Sequence, residues 1–379
     1  MAWMRILIVL HKMKKKGGMV LQHLKMSKQF EKNGCEVKIF SFDDYFITRN
    51  VFFNYLKIYR ILRKTIRKFN PEIILTSDPY FTTLFSLLVK QKNISLVMRV
   101  GAIYHPFYAG RIIEKISPRK MYIRLFYFIN FLLKQLDKLI LQQCNYVIFN
   151  SNFLKEYYEK YTASSSVIYN GIEKITTKIP HYNTPVNLVY VGRIEPRKSI
   201  EIIFKSLFLI KKQAIKFHFS LIGNNNQSSG YWLKLSNLIK SYNLIENITI
   251  FGEILNKDLP AILEKQDILL FSTDDRNFPI TEGLPNAILE GMANGLAIIA
   301  TNVAGVSEIL HEENGFTINP NPIELAEKIM LLIENKNLLV NIKKINIETV
   351  QKKYRIELVS KLYLKNFEKL IKSMINRKL

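Results

Sequence analysis

Cysteine is nearly absent from this chain of 379 residues. The two cysteines, Cys35 and Cys144, lie far apart in the sequence and do not have the spacing of metal ligands. This scarcity argues against a small disulfide-stabilised secreted fold and against a cysteine metal centre. A reducing compartment fits the composition.

Long apolar runs are also missing. No run approaches the roughly 20 residues that a helix needs to span a bilayer. The apolar run at residues 6–10 is too short for the core of a signal peptide, and no small residues typical of a cleavage site follow it. We therefore expect a buried first strand there.

Acidic side chains are few compared with basic ones. The chain has 31 Asp and Glu against 55 Lys and Arg, which gives a formal net charge of +24 at pH 7. Such a charge attracts nucleic acid, an anionic lipid surface or a phosphorylated substrate, and charge alone does not choose among them. Hydrophobic residues make up 48% of the chain, which excludes a disordered protein, and its length predicts two domains.

Short apolar runs alternate with longer helical patterns along the chain. Among them, strands are predicted at residues 5–10 and 167–169, and helical segments at residues 55–69, 200–212 and 338–379. This alternation predicts parallel sheets joined by crossover helices. The pattern restarts after a polar, turn-forming segment at residues 181–185, which we interpret as a linker. Because ligands of doubly wound sheets bind beyond the carboxyl ends of the strands, the cleft between two such domains is the expected site.

The most informative segment covers residues 281–295. It places Glu282 and Glu290, with seven residues between them, at the start of a predicted helix. Pro285 suits the first helical turn, and Gly295 suits the C-terminal stop. A helix N-terminus attracts phosphate, and carboxylates accept hydrogen bonds from hydroxyl groups. The segment therefore predicts a binding site for a sugar nucleotide, which needs both.

Two cations follow a predicted strand at residues 188–192. Arg193 and Lys198, with four residues between them, lie where that strand ends and would clamp a diphosphate. A lone basic pair more often decorates a loop. The glutamate pair about ninety residues later, in the matching topological position, favours the diphosphate interpretation.

Together these motifs resemble those of the retaining glycosyltransferases of family 4. The family's Gly-Arg pattern with a Lys a few residues later matches Arg193 and Lys198, and its pair of glutamates matches Glu282 and Glu290. A strand and then a glycine-rich turn that ends in Glu, together at residues 297–308, follow as in the family. Weaker matches in the N-terminal half extend the similarity over nearly the whole chain.

The resemblance implies the α/β fold called GT-B, in which two Rossmann-like, doubly wound parallel-sheet domains face each other across a cleft. We expect an acceptor-binding domain over residues 1–180 and a nucleotide-sugar-binding domain over residues 181–355. A C-terminal helix over residues 356–379 is expected to pack back on the first domain.

The resemblance also implies a role for each matching residue. Arg193 and Lys198 would hold the donor diphosphate and neutralise charge on the leaving group, and Glu282 would bind hydroxyls of the transferred sugar. These three are the predicted catalytic residues. The predicted donor-binding residues are Glu290 at the ribose, Leu284, Pro285, Asn286 and Ala287 at the helix start, Gly17 and Gly18 near the phosphates, and Gly252 and Glu253 beside the base.

No metal cofactor is expected, because cationic side chains and a helix end carry the phosphate charge in this family. The adjacent acids at residues 43–44 and 274–275 are interpreted as solvated loop residues. The resemblance implies retention of the anomeric configuration. No carboxylate is placed as a nucleophile, so we favour a same-face displacement guided by the leaving diphosphate.

The acceptor side is less clearly marked. Family members often carry a histidine after the strand predicted here at residues 96–100, and this chain offers Arg99 and His105. Arg99 fits a variant of that segment. His105, like His11 and His23, is more often a structural histidine. Arg99 and His105 are the candidate acceptor-side residues.

Residues 121–141 alternate aromatic residues and leucines with cations, and further cations cluster at residues 12–16 and 111–120. Two interpretations stay open for residues 121–141. The segment is either a helix that lies on an anionic membrane or a core helix with an exposed basic face.

The sequence thus predicts a hexosyltransferase that moves a sugar from a UDP- or GDP-type donor to a glycan or a polyprenyl- or other lipid-linked acceptor. We expect a bacterial enzyme of surface polysaccharide, lipopolysaccharide, capsule or glycolipid synthesis, cytoplasmic and peripheral on the inner face of the cell membrane. Two alternatives stay open. One is a non-catalytic GT-B relative that binds sugar nucleotides. The other is a nucleic-acid-binding protein, which only the charge favours and no recognisable motif supports.

Overall fold

A computed structural model describes residues 4–11, 13, 18–45, 51–104, 122–224, 229–274 and 282–376. The chain forms two compact units. Unit 1 comprises Met1–Glu173, Thr281–Leu284 and Ile356–Leu379, and unit 2 comprises Lys174–Ile280 and Pro285–Arg355.

Each unit contains a parallel sheet of six strands. The strands of unit 1 are β1 (Arg5–Leu10), β2 (Glu36–Ser41), β3 (Ile73–Thr76), β4 (Ser95–Val100), β5 (Tyr146–Phe149) and β6 (Ser165–Val167). The strands of unit 2 are β7 (Val186–Val191), β8 (Phe217–Ile222), β9 (Ile248–Gly252), β10 (Ile268–Phe271), β11 (Ala297–Thr301) and β12 (Gly315–Ile318). The strand orders are β2-β1-β3-β4-β5-β6 and β12-β11-β10-β7-β8-β9.

Helices connect these strands. Those of unit 1 before the linker are α1 (Gly18–Lys32), α2 (Val51–Phe69), α3 (Leu84–Val89), α4 (Tyr122–Gln143) and α5 (Asn152–Tyr158). Unit 2 follows with α6 (Ile200–Lys212), α7 (Gly230–Ser241), α8 (Leu259–Leu263), α9 (Asn286–Ala293), α10 (Pro322–Glu334) and α11 (Lys336–Thr349). The chain then returns to unit 1 with α12 (Ile356–Asn376).

Helices cover both faces of the unit 1 sheet. Successive residues of a strand point to opposite faces, so each face has its own apolar core. On one face, Leu96 and Met98 of β4 share a core with Ile58, Leu62 and Ile66 of α2, Val89 of α3, and Ile140 and Leu141 of α4. On the other, Val97 shares a core with Phe30 of α1 and with Val359, Tyr363 and Phe367 of α12. The helices α2, α3 and α4 therefore form one layer, and α1 and α12 form part of the opposite one.

Unit 2 repeats this doubly wound organisation. Its core includes Leu188 of β7 and Phe219 of β8, which pack with Ile203 and Leu207 of α6 and with Ile329 of α10. All strand pairs of this sheet are parallel. The carboxyl ends of β7, β8, β9, β10 and β11 consequently lie at one edge, and the loops that follow them carry the predicted donor site. The predicted α/β class with two Rossmann-like sheets is confirmed.

Among the described residues, no helix combines the length and the apolar character that crossing a bilayer requires. The same residues contain no group of three or more His, Cys, Asp and Glu side chains arranged to hold a metal ion.

Helix α4 carries a buried carboxyl group on its inner side. Asp137 is 2% exposed, and the hydroxyl of Tyr158 donates to its Oδ2 at 3.1 Å. Burial raises the pKa of this carboxyl from 3.8 to about 7, although the hydrogen bond from Tyr158 acts in the opposite direction. The folded protein therefore keeps a proton that the unfolded chain releases. The contribution of Asp137 to the free energy of unfolding therefore falls as the pH rises from 3.8 to about 7.

We expect Asp137→Asn to remove this pH dependence. The variant should be more stable than the wild type at pH values above the pKa of Asp137, by on the order of 4 kcal/mol, since the rise from 3.8 to about 7 is about three pKa units and each unit corresponds to about 1.4 kcal/mol. Urea unfolding on both sides of that pKa measures the difference. The exposed-site variant Glu156→Gln, on α5, serves as the control. If Asp137→Asn follows the wild-type pH profile, the raised pKa is wrong.

Candidate active site

The loop after β7 carries the predicted phosphate-binding cations. The amide of Gly192 donates to the carbonyl of Ile222 at 3.0 Å, which keeps β7 and β8 paired to the end of the strand. The hydroxyl of the fully buried Tyr190 donates to the carbonyl of Arg193 at 3.0 Å. The backbone that presents Arg193 is thus anchored to the core, while the Arg193 side chain is 61% exposed.

Glu195 lies between two guanidinium groups. Its Oε2 is 3.3 Å from Nη1 of Arg193, and its Oε1 is 3.0 Å from Nη2 of Arg197. Ion pairs at such exposure contribute little stability, so the Arg193 side chain is able to turn towards an anion at small cost. Together with Lys198, this loop contains three cations and one carboxylate. The loop therefore has a net positive charge.

Lys198 is held more firmly than Arg193. It is 5% exposed, and its Nζ lies 4.8 Å from the centroid of the Phe271 ring at the end of β10. The hydroxyl of Ser272 donates to the carbonyl of Lys198 at 2.6 Å. The side chain and the backbone of Lys198 are thereby fixed against the end of β10, the neighbour of β7 in the sheet. This orients a cation at the carboxyl edge.

Further backbone hydrogen bonds tie the neighbouring loops to this one. The amide of Thr273 donates to Oγ1 of Thr301 at 2.9 Å, and the amide of Asp274 donates to the carbonyl of Arg197 at 3.4 Å. The ends of β7, β10 and β11 are therefore connected in the region of Lys198. Asp274 is only 9% exposed, so the expectation that it is a solvated loop acid is wrong, and Asp275 lies outside the described residues.

The ends of β8 and β9 approach the same loop. A Cβ atom at Gly223 would lie 1.8 Å from the carbonyl oxygen of Gly192, so only glycine permits this close backbone approach. The amide of Gly223 donates to the carbonyl of Gly252 at 2.8 Å, and Nδ2 of Asn224 donates to Oε2 of Glu253 at 2.8 Å. The predicted base-side residues Gly252 and Glu253 thus lie at the carboxyl edge of the unit 2 sheet.

Helix α9 follows β10 and begins at that edge. Pro285, expected within the first turn, is instead the residue that precedes the first helical residue, Asn286. Asn286 and Ala287 are partly buried in the first turn, the end of a helix at which backbone amides point outwards along the axis. Glu290 lies one turn further and is also partly buried. Gly295 has φ of 70°, the left-handed conformation expected after the helix end.

Glu282 is held differently from Glu290. It forms an isolated antiparallel bridge with Ala102, and the amide of Gly283 donates to the carbonyl of Gly101 at 3.1 Å. These residues belong to unit 1, as does Leu284, which is 4% exposed, whereas Glu290 belongs to unit 2. The chain passes from one unit to the other between Leu284 and Pro285. The two glutamates that the sequence pairs are therefore attached to different units.

The packing of Gly283 fixes the position of Glu282. A Cβ atom at Gly283 would lie 2.1 Å from Oδ1 of Asn150 and 2.5 Å from Cδ1 of Leu154. Asn150 is 3% exposed and Leu154 is fully buried, so neither side chain has room to withdraw. Only glycine therefore fits against Asn150 and Leu154 at position 283.

Arg99 has contacts within the protein. It is 4% exposed, and its Nε donates to the hydroxyl of Tyr363 at 2.8 Å. Its Nη2 donates to Oδ1 of Asn170. Arg99 therefore links β4 to α12 and to the loop after β6. Its acceptor-side role stays a prediction.

The predicted histidine and glycine positions are only partly described. His105 and Gly17 lie outside the described residues, and Gly18 is the exposed first residue of α1. His23 is 1% exposed, and its Nδ1 lies 2.9 Å from the carbonyl oxygen of Met19. Burial and then the charge of Arg99 lower the pKa of His23 to about 4. His23 is consequently neutral at pH 7, as expected for a structural histidine.

Sequence reasoning missed the residues that support this site. Tyr190, Glu195, Ser272 and Asn150 were not singled out for any role. Ser272 directly follows β10 and Asn150 directly follows β5, whereas Tyr190 is the second-last residue of β7 and Glu195 lies four residues after that strand. A polar residue at the carboxyl end of a parallel strand is therefore the signal that would have found them.

Two family models match the chain. The model described as "Glycosyl transferases group 1" matches residues 171–349, and the model described as "Glycosyltransferase Family 4" matches residues 16–174. Between them they cover the chain from residue 16 to residue 349.

Curated relatives are mostly similar over part of their length. The putative colanic acid biosynthesis glycosyltransferase WcaL of Escherichia coli is 24% identical over 149 residues, which cover 38% of this chain and 36% of WcaL. The uncharacterized glycosyltransferase MJ1178 of Methanocaldococcus jannaschii is 30% identical over 175 residues, 45% of this chain and 44% of MJ1178. The chain thus spans less than half of each. MJ1069 of the same organism is 26% identical over 92% of this chain and 88% of its own length.

Solved structures share the fold. Sucrose-phosphate synthase from Thermosynechococcus elongatus matches with a TM-score of 0.75 at 17% identity, over 98% of this chain and 100% of that chain. Anabaena Alr3699/HepE in complex with UDP-glucose matches with a TM-score of 0.72 at 16% identity, over 97% of this chain and 100% of that chain. These matches show the GT-B fold, and the two family models, which together span residues 16–349, show that the chain belongs to the group 1 glycosyltransferases.

Proposed function

We propose that the enzyme is a retaining glycosyltransferase that takes its sugar from a nucleoside-diphosphate sugar. The observation that carries the proposal is the grouping of Arg193, Lys198 and the N-terminus of α9 at the carboxyl edge of one parallel sheet. Cationic side chains and helix amides are the groups that bind a diphosphate. A donor of this class supplies that diphosphate.

The base and the ribose would bind beside the phosphates. Glu290 would accept hydrogen bonds from the ribose hydroxyls, and Gly252 and Glu253 would lie beside the base. Alr3699/HepE, which shares the fold, has been solved with UDP and with UDP-glucose. That precedent supports a UDP-type donor, and a GDP-type donor is the alternative.

In the proposed reaction, an acceptor hydroxyl attacks the anomeric carbon from the face that the diphosphate leaves. The bond between the anomeric carbon and the phosphate oxygen breaks, and its electron pair stays on the diphosphate. The hydroxyl proton passes to a phosphate oxygen on the same face. Arg193 and Lys198 would stabilise the developing negative charge in place of a metal, and Glu282 would hold the sugar hydroxyls.

The acceptor would be a glycan or a lipid-linked sugar of a surface polysaccharide. Several relatives have names from such syntheses, among them the colanic acid enzyme WcaL, the amylovoran enzyme AmsK of Erwinia amylovora and the capsular polysaccharide enzyme CapH of Staphylococcus aureus. These matches cover less than half of this chain, so they support the acceptor class and do not identify an individual sugar.

A thermal-shift screen with UDP, GDP and ADP sugars tests the donor. A ligand that binds only the folded protein at 100 times its Kd stabilises it by about 2.7 kcal/mol, so one nucleotide should raise the Tm clearly above the others. If no nucleotide sugar raises the Tm, the proposed donor class is wrong.

The anomer of the product tests the mechanism. With an α-linked donor, we expect an α-linked product by NMR, because the acceptor attacks from the face of the leaving group. A β-linked product would refute retention. Donor binding with neither transfer nor donor hydrolysis would favour the non-catalytic relative instead.

A further inference from the structure

One side of unit 1 has an outer surface composed of cations and large apolar side chains. It is the solvent-facing side of the helical layer α2, α3 and α4, and we call it the α2–α4 surface. These three helices cover the same face of the sheet, as their shared core shows. The only acid on any of them is Asp137, which is 2% exposed.

The cations of this surface are concentrated on α2. The buried side of the helix is formed at four-residue intervals by Ile58, Leu62 and Ile66. The opposite side carries six exposed cations, and within the part of the chain that the structure describes none of them takes part in an ion pair. They are Lys57, Arg60, Arg63, Lys64, Arg67 and Lys68.

The same side of α2 also carries apolar residues near its start. Phe53 is 61% exposed and Leu56 is 37% exposed, and both continue the three- and four-residue spacing of the cations. Arg60, Arg63 and Arg67 help to line an open depression of about 420 Å³. The cations therefore surround a concave surface that an anionic group can enter.

The apolar residues of the surface are concentrated on α4. The exposed fractions are 65% for Tyr127, 59% for Phe128, 56% for Phe131, 48% for Leu132 and 59% for Leu139. Their spacing places them on one side of the helix, opposite the buried Asp137. A core helix with an exposed basic face would bury these apolar residues, and a helix that lies on a membrane would leave them on the protein surface. The structure exposes them to solvent.

Three exposed aromatic residues on one helix and six cations on another helix of the same layer are typical of a surface that enters the boundary between lipid head groups and acyl chains. Helices of 19 and 22 residues give a footprint roughly 30 Å long. Nucleic acid would satisfy the cations. It would leave the leucines of α4 in water, because stacking on bases requires aromatic rings.

We propose that the α2–α4 surface docks on an anionic lipid bilayer, with the α2 cations at the head groups and the α4 aromatic residues inserted among them. Docking is an addition to the proposed transferase chemistry and does not depend on it. It would bring unit 1 to a membrane that carries a lipid-linked acceptor.

The opposite layer of unit 1 offers a matched control. The exposed lysines of α12 are Lys361, Lys365, Lys369 and Lys372, on the other face of the sheet. Glu357 and Glu368 lie on the same helix, each four residues before one of these lysines. Neutralising the four α12 lysines changes the net charge by as much as neutralising four α2 cations.

Vesicle flotation of the full-length protein tests the proposal. The vesicles contain phosphatidylglycerol and phosphatidylcholine, or phosphatidylcholine alone. We compare the wild type with two four-site variants: Arg60→Gln, Arg63→Gln, Arg67→Gln and Lys68→Gln on α2, and Lys361→Gln, Lys365→Gln, Lys369→Gln and Lys372→Gln on α12. Each basic residue near an anionic surface raises the partition coefficient about fivefold, so the α2 variant should bind at least about 100-fold more weakly. The α12 variant should bind nearly as well as the wild type.

Salt and an aromatic variant separate the two contributions. Raising salt from about 0.1 M to about 1 M shortens the Debye length from about 10 Å to about 3 Å and should weaken binding strongly. Phe128→Ser with Phe131→Ser should weaken vesicle binding and leave the affinity for duplex DNA, measured by fluorescence anisotropy, unchanged. Donor-induced thermal shifts should be the same in all variants, which separates a failure of docking from a failure of the donor site.

Three outcomes would overturn the proposal. The first is no binding of the wild type to anionic vesicles. The second is an equal loss of binding in the α2 and α12 variants, which would reduce the effect to net charge. The third is tighter binding to duplex DNA than to vesicles at the same salt concentration, which would make the α2–α4 surface a nucleic-acid site.

Discussion

Replacing Lys198 with methionine should lower kcat by about 10²–10³-fold, the usual effect of removing one preorganised group that stabilises transition-state charge. Lys198 is 5% exposed and fixed against Phe271, so its charge is already in place when the diphosphate leaves. Methionine is unbranched and only one atom shorter than lysine, and it packs well on an aromatic ring. The loss should therefore be electrostatic, with little change in Tm.

The control for this experiment is Lys205→Met. Lys205 is an exposed cation of α6, a short distance along the chain from Lys198. Sugar transfer and donor hydrolysis are measured for both variants. An unchanged kcat in Lys198→Met, or an equal loss in Lys205→Met, would remove Lys198 from the catalytic site.

Replacing Gly283 with alanine should lower kcat about 10²-fold, because displacing a catalytic group by about 1 Å has an effect of that size. The new methyl group would lie 2.1 Å from Oδ1 of Asn150 and 2.5 Å from Cδ1 of Leu154. The backbone has to move, and it carries Glu282 with it. Overpacking of this kind also destabilises a core by about 1–3 kcal/mol.

Two further variants show whether Gly283 acts through position. Gly230→Ala is the control, since no atom lies within 4 Å of the added Cβ. Asn150→Ala combined with Gly283→Ala removes the closest clash and should recover part of the lost kcat. A double variant as impaired as the sum of the two single variants would mean that Gly283 does not position Glu282 through Asn150.

Hydrophobic periodicity was sufficient to predict elements whose residues are buried by their own pattern. The first strand at residues 5–10 and the helix at residues 200–212 have the predicted bounds, as β1 and α6. From residue 6 the strand is a continuous run of isoleucine, leucine and valine, as buried parallel strands are, and the helix repeats its apolar residues at helical spacing. Helix α2 was predicted from residue 55 but begins at Val51. The first turn was missed because its β-branched and aromatic residues are weak helix formers.

Elements that depend on a neighbour were harder to predict. A strand was expected at residues 167–169, and β6 is instead Ser165–Val167. It pairs with Val147 and Phe149 of β5, and the serines in it carry no apolar signal. The C-terminal stretch was predicted as largely helical from residue 338. A π-helical turn at Val350–Tyr354 interrupts it before α12 begins.

In the candidate site, too, local features could be predicted and features that depend on distant residues could not. Sequence spacing found Arg193, Lys198 and the glutamate pair, because short motifs are local. It did not show that Glu282 belongs to unit 1, since the bridge to Ala102 joins residues that are distant in the sequence. The bond between Arg99 and Tyr363 spans 264 positions and was equally invisible.

The central claim is that Arg193 and Lys198 recognise the diphosphate of the donor. Isothermal titration of a nucleoside and of the corresponding nucleoside diphosphate, with the wild type and with Arg193→Gln combined with Lys198→Met, tests it most directly. We expect the wild type to bind the diphosphate far more tightly than the nucleoside, and the double variant to lose that difference while binding the nucleoside as before. A double variant that keeps the full preference for the diphosphate would contradict the account.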